Sequence, residues 1–183
     1  YFKTPAHIKV LNENEFNQIL LETYTDEVYF KLVNYLDDIE KQIISDKFIF
    51  AKSSTEDFVN HINSCHEDEV LTVSELESIK ETVYDEELRI CLYDKKNDAI
   101  IATGIAEFDD EIKEGYLDWI QVSEQYKGMS GQGYCLLTVE KLKEKPSFVT
   151  VSGRINNKTK PEKLYESCGF EDKVLWYILM EKD

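Results

Sequence analysis

The sequence predicts an α/β domain, and three stretches of its 183 residues carry that expectation. From Leu88 two apolar runs, LRICLYD and AIIATGIAEF, flank the polar turn Lys95-Lys96-Asn97-Asp98 and lead to a third run, Tyr116 to Val122. That third run enters a loop carrying Gly128, Gly131 and Gly133. A helical pattern follows at once, with Cys135, Val139 and Leu142 on one face and Leu136 three residues before Val139. Near the end, a short helix signal around Pro161 to Gly169 feeds the apolar strand VLWYILM. An antiparallel meander followed by strand–helix–strand units is the pattern of a sheet with helices packed on it.

Taken in order, HIKVL (7–11) reads as a first strand. Two helices are expected next: one marked by Phe16, Ile19 and Leu20, the other by Val28, Leu32, Leu36 and Ile39, with Thr25-Asp26-Glu27 as the break. A single helix over 13–44 fits the same pattern. KFIFA (47–51) reads as a short strand. Helices are expected over 55–64 and 74–84, the second with a Ser74-x-x-Glu77 capping box. The turn from Asp109 to Glu114 joins the second and third runs of the meander. FVTVSGRI is a strand rich in β-branched residues. Thr159-x-x-Glu162 reads as a second capping box, with Pro161 in the first turn and Gly169 as the stop. No internal repeat or low-complexity segment is present.

The mass of 21.4 kDa suits one domain, 1–183, with a full core, and 42% hydrophobic residues exclude a disordered acidic tail. No apolar run approaches the ~20 residues of a membrane span, and no signal-peptide pattern opens the chain. The chain begins at Tyr1 rather than Met, so we expect its natural beginning to precede it. Cys65, Cys91, Cys135 and Cys168 form no C-x-x-C pair, which is the pattern of reduced thiols in a cytoplasmic protein. The net charge of −16, from 37 acidic and 21 basic residues, argues against nucleic acid and leaves room for a cationic partner.

The strand–glycine loop–helix has a physical use. Glycines let the backbone turn tightly and approach a ligand. The first N–H groups of a helix lack intrahelical partners and lie at the positive end of its dipole, which suits a pyrophosphate. Gly128-x-x-Gly131-x-Gly133 reverses the dinucleotide fingerprint, and no Lys-Ser or Lys-Thr follows as a Walker loop requires.

The loop instead resembles motif A of the GNAT superfamily of N-acetyltransferases: Arg or Gln, two residues, Gly, one residue, then Gly or Ala. Val122, Tyr126 and Lys127 match its valine, aromatic and basic lead-in. With Gly131 and Gly133 as the motif glycines, the Arg/Gln position falls on Gly128 and Lys127 stands one place early. The other register, Gln125-x-x-Gly128-x-Ser130, ends on serine. The first is preferred because Gly133 directly precedes the helical pattern. LYESCGF (164–170) resembles the family's LYEKxGF, and the two matches together span roughly residues 88 to 180.

The resemblance implies a GNAT fold, a mixed and mostly antiparallel twisted sheet with helices on both faces, with residues 47–86 as an insertion. It also implies that the helices expected after residue 13 flank an acceptor site. The implied function is acetyl transfer from acetyl-coenzyme A to a small-molecule or peptide amine by direct attack in a ternary complex, in a monomer or homodimer. A degenerate domain that binds coenzyme A as a sensor or interaction module is the alternative. An acidic interaction protein with no cofactor is a rival of another class. Backbone amides of Lys127, Gly128, Met129, Ser130, Gly131, Gln132, Gly133 and Tyr134 would hold the cofactor. An N–H among Ile120, Gln121 and Val122 would polarise the thioester.

Tyr165 matches the tyrosine that protonates the coenzyme A sulfur, against the plainer role of packing beside Leu164. Asn157, or Asn156, stands near the family's pantetheine-binding asparagine, against a simple turn. Asp118 sits where some members place a general base, against a charge at a sheet edge. Strand alternation puts it on a face with Ile120 and Val122, where apolar neighbours would raise its pKa. Glu107 is a second candidate for that role. His61 and Cys65 are helically spaced beside His66, but no second pair completes a metal site, so none is expected. Trp119 and Trp176 read as core or cleft wall.

Overall fold

Alternating and β-branched runs build eight strands. The computed structural model describes residues 4–36, 45–65, 70–79, 84–126, 138, 142 and 145–182 and gathers those strands into one sheet. In chain order they are β1 (Ile8–Asn12), β2 (Tyr24–Asn34), β3 (Phe48–Phe50), β4 (Tyr84–Asp94), β5 (Ala99–Asp109), β6 (Glu114–Val122), β7 (Phe148–Arg154) and β8 (Glu171–Glu181). Across the sheet the order is β1-β8-β2-β7-β6-β5-β4-β3. Neighbours pair antiparallel except β6 with β7, which run parallel. Helices α1 (Thr55–Cys65), α2 (Val73–Ile79) and α3 (Pro161–Ser167) pack on this sheet, giving the mixed α/β class expected.

The ladders sort side chains onto two faces. Phe30, Leu32, Ala106, Leu117, Val149 and Val151 form one buried cluster with Leu142 and with Tyr165 and Cys168 of the α3 segment. Cys91 and Ile105 point the other way, into a cluster with Phe58, Val59 and Ile62 of α1 and Leu76 of α2. A third cluster joins Ile90, Leu92, Ile101, Ala102 and Val122 toward the β3 edge. Helices therefore cover both faces. Gly153 of β7 lies so close to Phe30 that an added Cβ would meet the ring at 2.9 Å, so only glycine lets the phenyl cross there.

Several expectations are corrected. Residues expected as a second helix form β2, and no helix spans the described part of 13–44. Val28 and Leu32 are four apart, which satisfies a helical face and a strand face equally. Phe30 between them decides it, 1% exposed and paired across the sheet with Gly153 and Leu175. Ile39 lies outside the described residues. The helix expected at Phe16 to Leu20 is a single 3-10 turn, Gln18–Glu22, with Asn17 accepting from the Ile19 amide at 3.0 Å.

The capping box of α2 sits two residues earlier than expected. The Thr72 hydroxyl accepts from the Glu75 amide at 3.1 Å, and Glu75 accepts from the Thr72 amide at 2.8 Å. Ile79 ends the helix as described, and Tyr84, the expected helix end, opens β4. The box expected at Thr159 and Glu162 does not form. Thr159 donates to Asn157 instead, Glu162 pairs with Lys173, and Lys160 caps α3 in a left-handed conformation with φ 48°. Pro161 opens α3 and Gly169, at φ 81°, follows its end as expected.

Candidate active site where two strands part

The parallel β6–β7 ladder runs only from Glu114↔Phe148 to Leu117↔Val151. Beyond it the described register pairs β6 with β5 alone, from Asp118 to Val122, so the sheet opens between the ends of β6 and β7. The Ser123 amide donates to the Ile101 carbonyl at 2.9 Å, toward β5. Amides alternate in direction along a strand, so the Val122 N–H is turned the other way, into the opening.

A β-bulge lies on the same stretch. Thr103 faces Gln121 and Ile105 faces Asp118, which leaves Gly104 alone opposite both Trp119 and Ile120. Trp119 has φ 49°, a left-handed conformation that a tryptophan adopts only where its surroundings impose it. Its ring packs against the α1–α2 cluster, while half-buried Ile120 touches the other two clusters.

The bulge also corrects the expected face. Leu117 faces Ala106 and Val122 faces Ala102, so those two share one side of the sheet. Asp118 and Gln121 share the other. Asp118 lies with Tyr116 and Glu107 by ordinary alternation, and it does not lie with Val122, because the inserted residue shifts the alternation by one beyond it. Burial first, and the Asp118 carboxylate second, push Glu107 up to about 6. Burial likewise raises the Tyr116 phenol, whose hydroxyl lies 2.7 Å from that of Ser152, just past the end of the ladder. Glu114 on this face accepts from Thr150 at 2.6 Å and pairs with Lys31 at 2.9 Å. Neither Tyr116 nor Ser152 carries a motif signal of its own in the sequence; Tyr116 is marked only by standing two residues before Asp118.

Tyr165 lies on the opposite face. It is 7% exposed, with ring centroids 6.4 Å from Phe30 and 5.8 Å from Phe170, and shares a cluster with Leu117 and Val151, the last pair of the ladder. The structure therefore puts the tyrosine and the carboxylates on different sides of one opening. Asn157 is half-buried in the turn before α3, where its side-chain oxygen accepts from the Thr159 amide at 2.9 Å and hydroxyl at 2.7 Å. Asn156 is exposed. Lys127, Gly128, Met129, Ser130, Gly131, Gln132, Gly133 and Tyr134 lie outside the described residues, as does His66.

His61, weighed in the sequence only as a metal ligand, has another role. Its Nδ1 lies 2.9 Å from the Thr103 hydroxyl and its Nε2 2.9 Å from that of Ser123. A neutral imidazole offers one donor and one acceptor, and two hydroxyls satisfy either tautomer. Burial holds its pKa down to about 4. Among the described residues no group of three or more His, Cys, Asp or Glu is arranged to hold a metal, and no helix is long and apolar enough to cross a membrane.

No protein-family model and no curated protein matches this sequence. Solved structures do share its fold. A GCN5-related N-acetyltransferase from Sphaerobacter thermophilus matches with a TM-score of 0.70 at 12% identity, over 97% of this chain and 62% of that one. An acetyltransferase of the GNAT family from Colwellia psychrerythraea matches with a TM-score of 0.62 at 12% identity, over 94% and 64%. Glucosamine-6-phosphate N-acetyltransferase from Arabidopsis thaliana matches with a TM-score of 0.50 at 15% identity, over 69% and 93%. This chain thus has the fold of the GNAT acetyltransferases. It spans less than two thirds of the length of the first two.

Proposed function

We propose that this chain moves an acetyl group from acetyl-coenzyme A to an amine, with both held at once. The observation that carries the reading is the opening between β6 and β7, with the Val122 amide turned into it. Acetyl-coenzyme A supplies a thioester whose carbonyl carbon is open to attack. A fixed N–H aimed at the carbonyl oxygen stabilises the charge that develops there, and Val122, ahead of Ile120 and Gln121, is the donor the geometry supports. Backbone amides of Lys127 to Tyr134 would hold the pyrophosphate, with Asn157 on the pantetheine arm.

The two faces divide the proton chemistry. Glu107, with Asp118 beside it, is the group on one face suited to take a proton from the attacking amine, since its pKa stands near 6. On the other face the Tyr165 hydroxyl would return a proton to the departing sulfur. The carboxylates Glu107 and Asp118 on the acceptor side support a cationic amine, in a chain of net charge −16.

Acetyl-coenzyme A should raise the melting temperature, by ~2.7 kcal/mol of linkage at a hundredfold excess over Kd. A panel of amines should then release free coenzyme A thiol. Binding without thiol release from any amine would leave a coenzyme A sensor. An unshifted melting temperature at millimolar cofactor would end the reading.

A further inference from the structure

The His61 ring carries one proton, and its two neighbours decide where. Burial holds its pKa down to about 4, so at neutral pH one ring nitrogen donates and the other accepts. Thr103 faces Nδ1 and Ser123 faces Nε2, each at 2.9 Å. These two hydroxyls are not equivalent: Thr103 is 0% exposed, whereas Ser123 is half-buried.

Thr103 selects the tautomer. Its O–H hydrogen is shut off from solvent and has Nδ1 as its one acceptor among the described residues. The opposite arrangement, with Nδ1–H donating to Thr103, would strand that hydrogen in the interior, and a buried donor left unpaired is costly. The ring therefore accepts at Nδ1 and donates from Nε2 to the Ser123 oxygen.

Ser123 is left with a donor to place. The imidazole engages its oxygen, and its own hydrogen has no protein acceptor among the described residues. The backbone around it is fixed. The Ser123 amide donates to the Ile101 carbonyl and the Ser123 carbonyl accepts from the Tyr126 amide, both at 2.9 Å. Ser123 directly follows Val122, whose N–H is turned into the β6–β7 opening, and consecutive Cα atoms are only ~3.8 Å apart. A held hydroxyl hydrogen beside a held amide hydrogen suits one oxygen that accepts twice.

We propose that the Ser123 hydroxyl is a second donor to the thioester carbonyl oxygen of acetyl-coenzyme A, beside the Val122 amide, held in that role by His61 and, behind it, Thr103. The proposal rests on the cofactor reading above. It makes Ser123 a binding residue and His61 and Thr103 positioning residues.

Calorimetric titration of acetyl-coenzyme A and S-ethyl-coenzyme A tests it, because the second ligand has a methylene where the first has its carbonyl. The wild-type chain should bind the acetyl ligand more tightly. Ser123→Ala should weaken that ligand about fivefold, the effect of one lost hydrogen bond, and leave S-ethyl-coenzyme A unchanged. The unchanged ligand also verifies folding. Nitrogen NMR of the labelled His61 ring should find the proton on Nε2. A proton on Nδ1 overturns the assignment, as does a Ser123→Ala loss shared equally by both ligands or seen with neither, and each of these leaves the cofactor reading intact. If neither ligand binds the wild-type chain, the cofactor reading fails and this one falls with it.

Discussion

His61 Nε2 lies 2.9 Å from the Ser123 hydroxyl, tying helix α1 to the residue that follows the Val122 amide. The other ring nitrogen holds Thr103 of β5 at 2.9 Å, so one buried side chain sets where β6 ends relative to the helix above it. Ser123→Ala cuts the tie to the strand exit alone. The expected result is a several-fold rise in the KM for acetyl-coenzyme A with little change in melting temperature. Thr103→Val should do the reverse, costing ~1–3 kcal/mol for a ring nitrogen left without its buried partner. Equal effects of both on stability alone would reduce His61 to a structural tie.

The same histidine predicts a pH dependence of stability. Its pKa falls from the ordinary 6.5 to about 4 on folding, so the unfolded chain takes up a proton first as pH falls. Its contribution is complete above pH 6.5 and is lost between 6.5 and about 4, amounting to about 3 kcal/mol. Chemical denaturation across that window should show the loss. His61→Gln, less stable at neutral pH, should show a flatter profile.

Glu107 predicts a pH dependence of rate. As a base it acts when ionised, so kcat/KM should climb with pH and level off above about 6. Glu107→Gln should remove that limb and lower turnover by ~10²–10⁴-fold. Asp118 is the second cause of the raised pKa, so Asp118→Asn should move the limb to lower pH and keep it. Loss of the limb in Asp118→Asn, with Glu107→Gln normal, would exchange their roles.

For Tyr165 the packing and the chemistry can be separated. Its ring fills space between Phe30 and Phe170, so Tyr165→Ala should cost ~3–5 kcal/mol of stability. Tyr165→Phe keeps the ring. A thiol of pKa near ~8.5 leaves readily enough that the loss should sit at the low end of acid catalysis, about tenfold to a hundredfold in turnover. Full turnover in Tyr165→Phe would make the residue packing alone.

An acidic acceptor face predicts sensitivity to salt. The KM for a cationic amine should rise with ionic strength, because added salt screens the attraction between the amine and the carboxylates of that face. A neutral amine turned over more efficiently, with no salt effect, would count against a cationic acceptor.

Elements set by their own residues were legible in the sequence. The Lys95-Lys96-Asn97-Asp98 hairpin turn, Pro161 at the start of α3 and the left-handed Gly169 after it depend on local backbone preferences, and they stand where expected. The meander of β4, β5 and β6 and the strand leading into the glycine loop follow from the same kind of signal. What needed the tertiary structure was set by partners far along the chain. β2 is a strand because β7 and β8, more than a hundred residues later, supply its hydrogen bonds on both sides; its own spacing fits a helix as well. The bulge at Trp119 and Ile120 exists only as a mismatch with Gly104 across the ladder, and it alone puts Val122 on the face opposite Asp118. The opening between β6 and β7 is likewise a property of two strands that part, and neither strand's residues specify where their ladder ends.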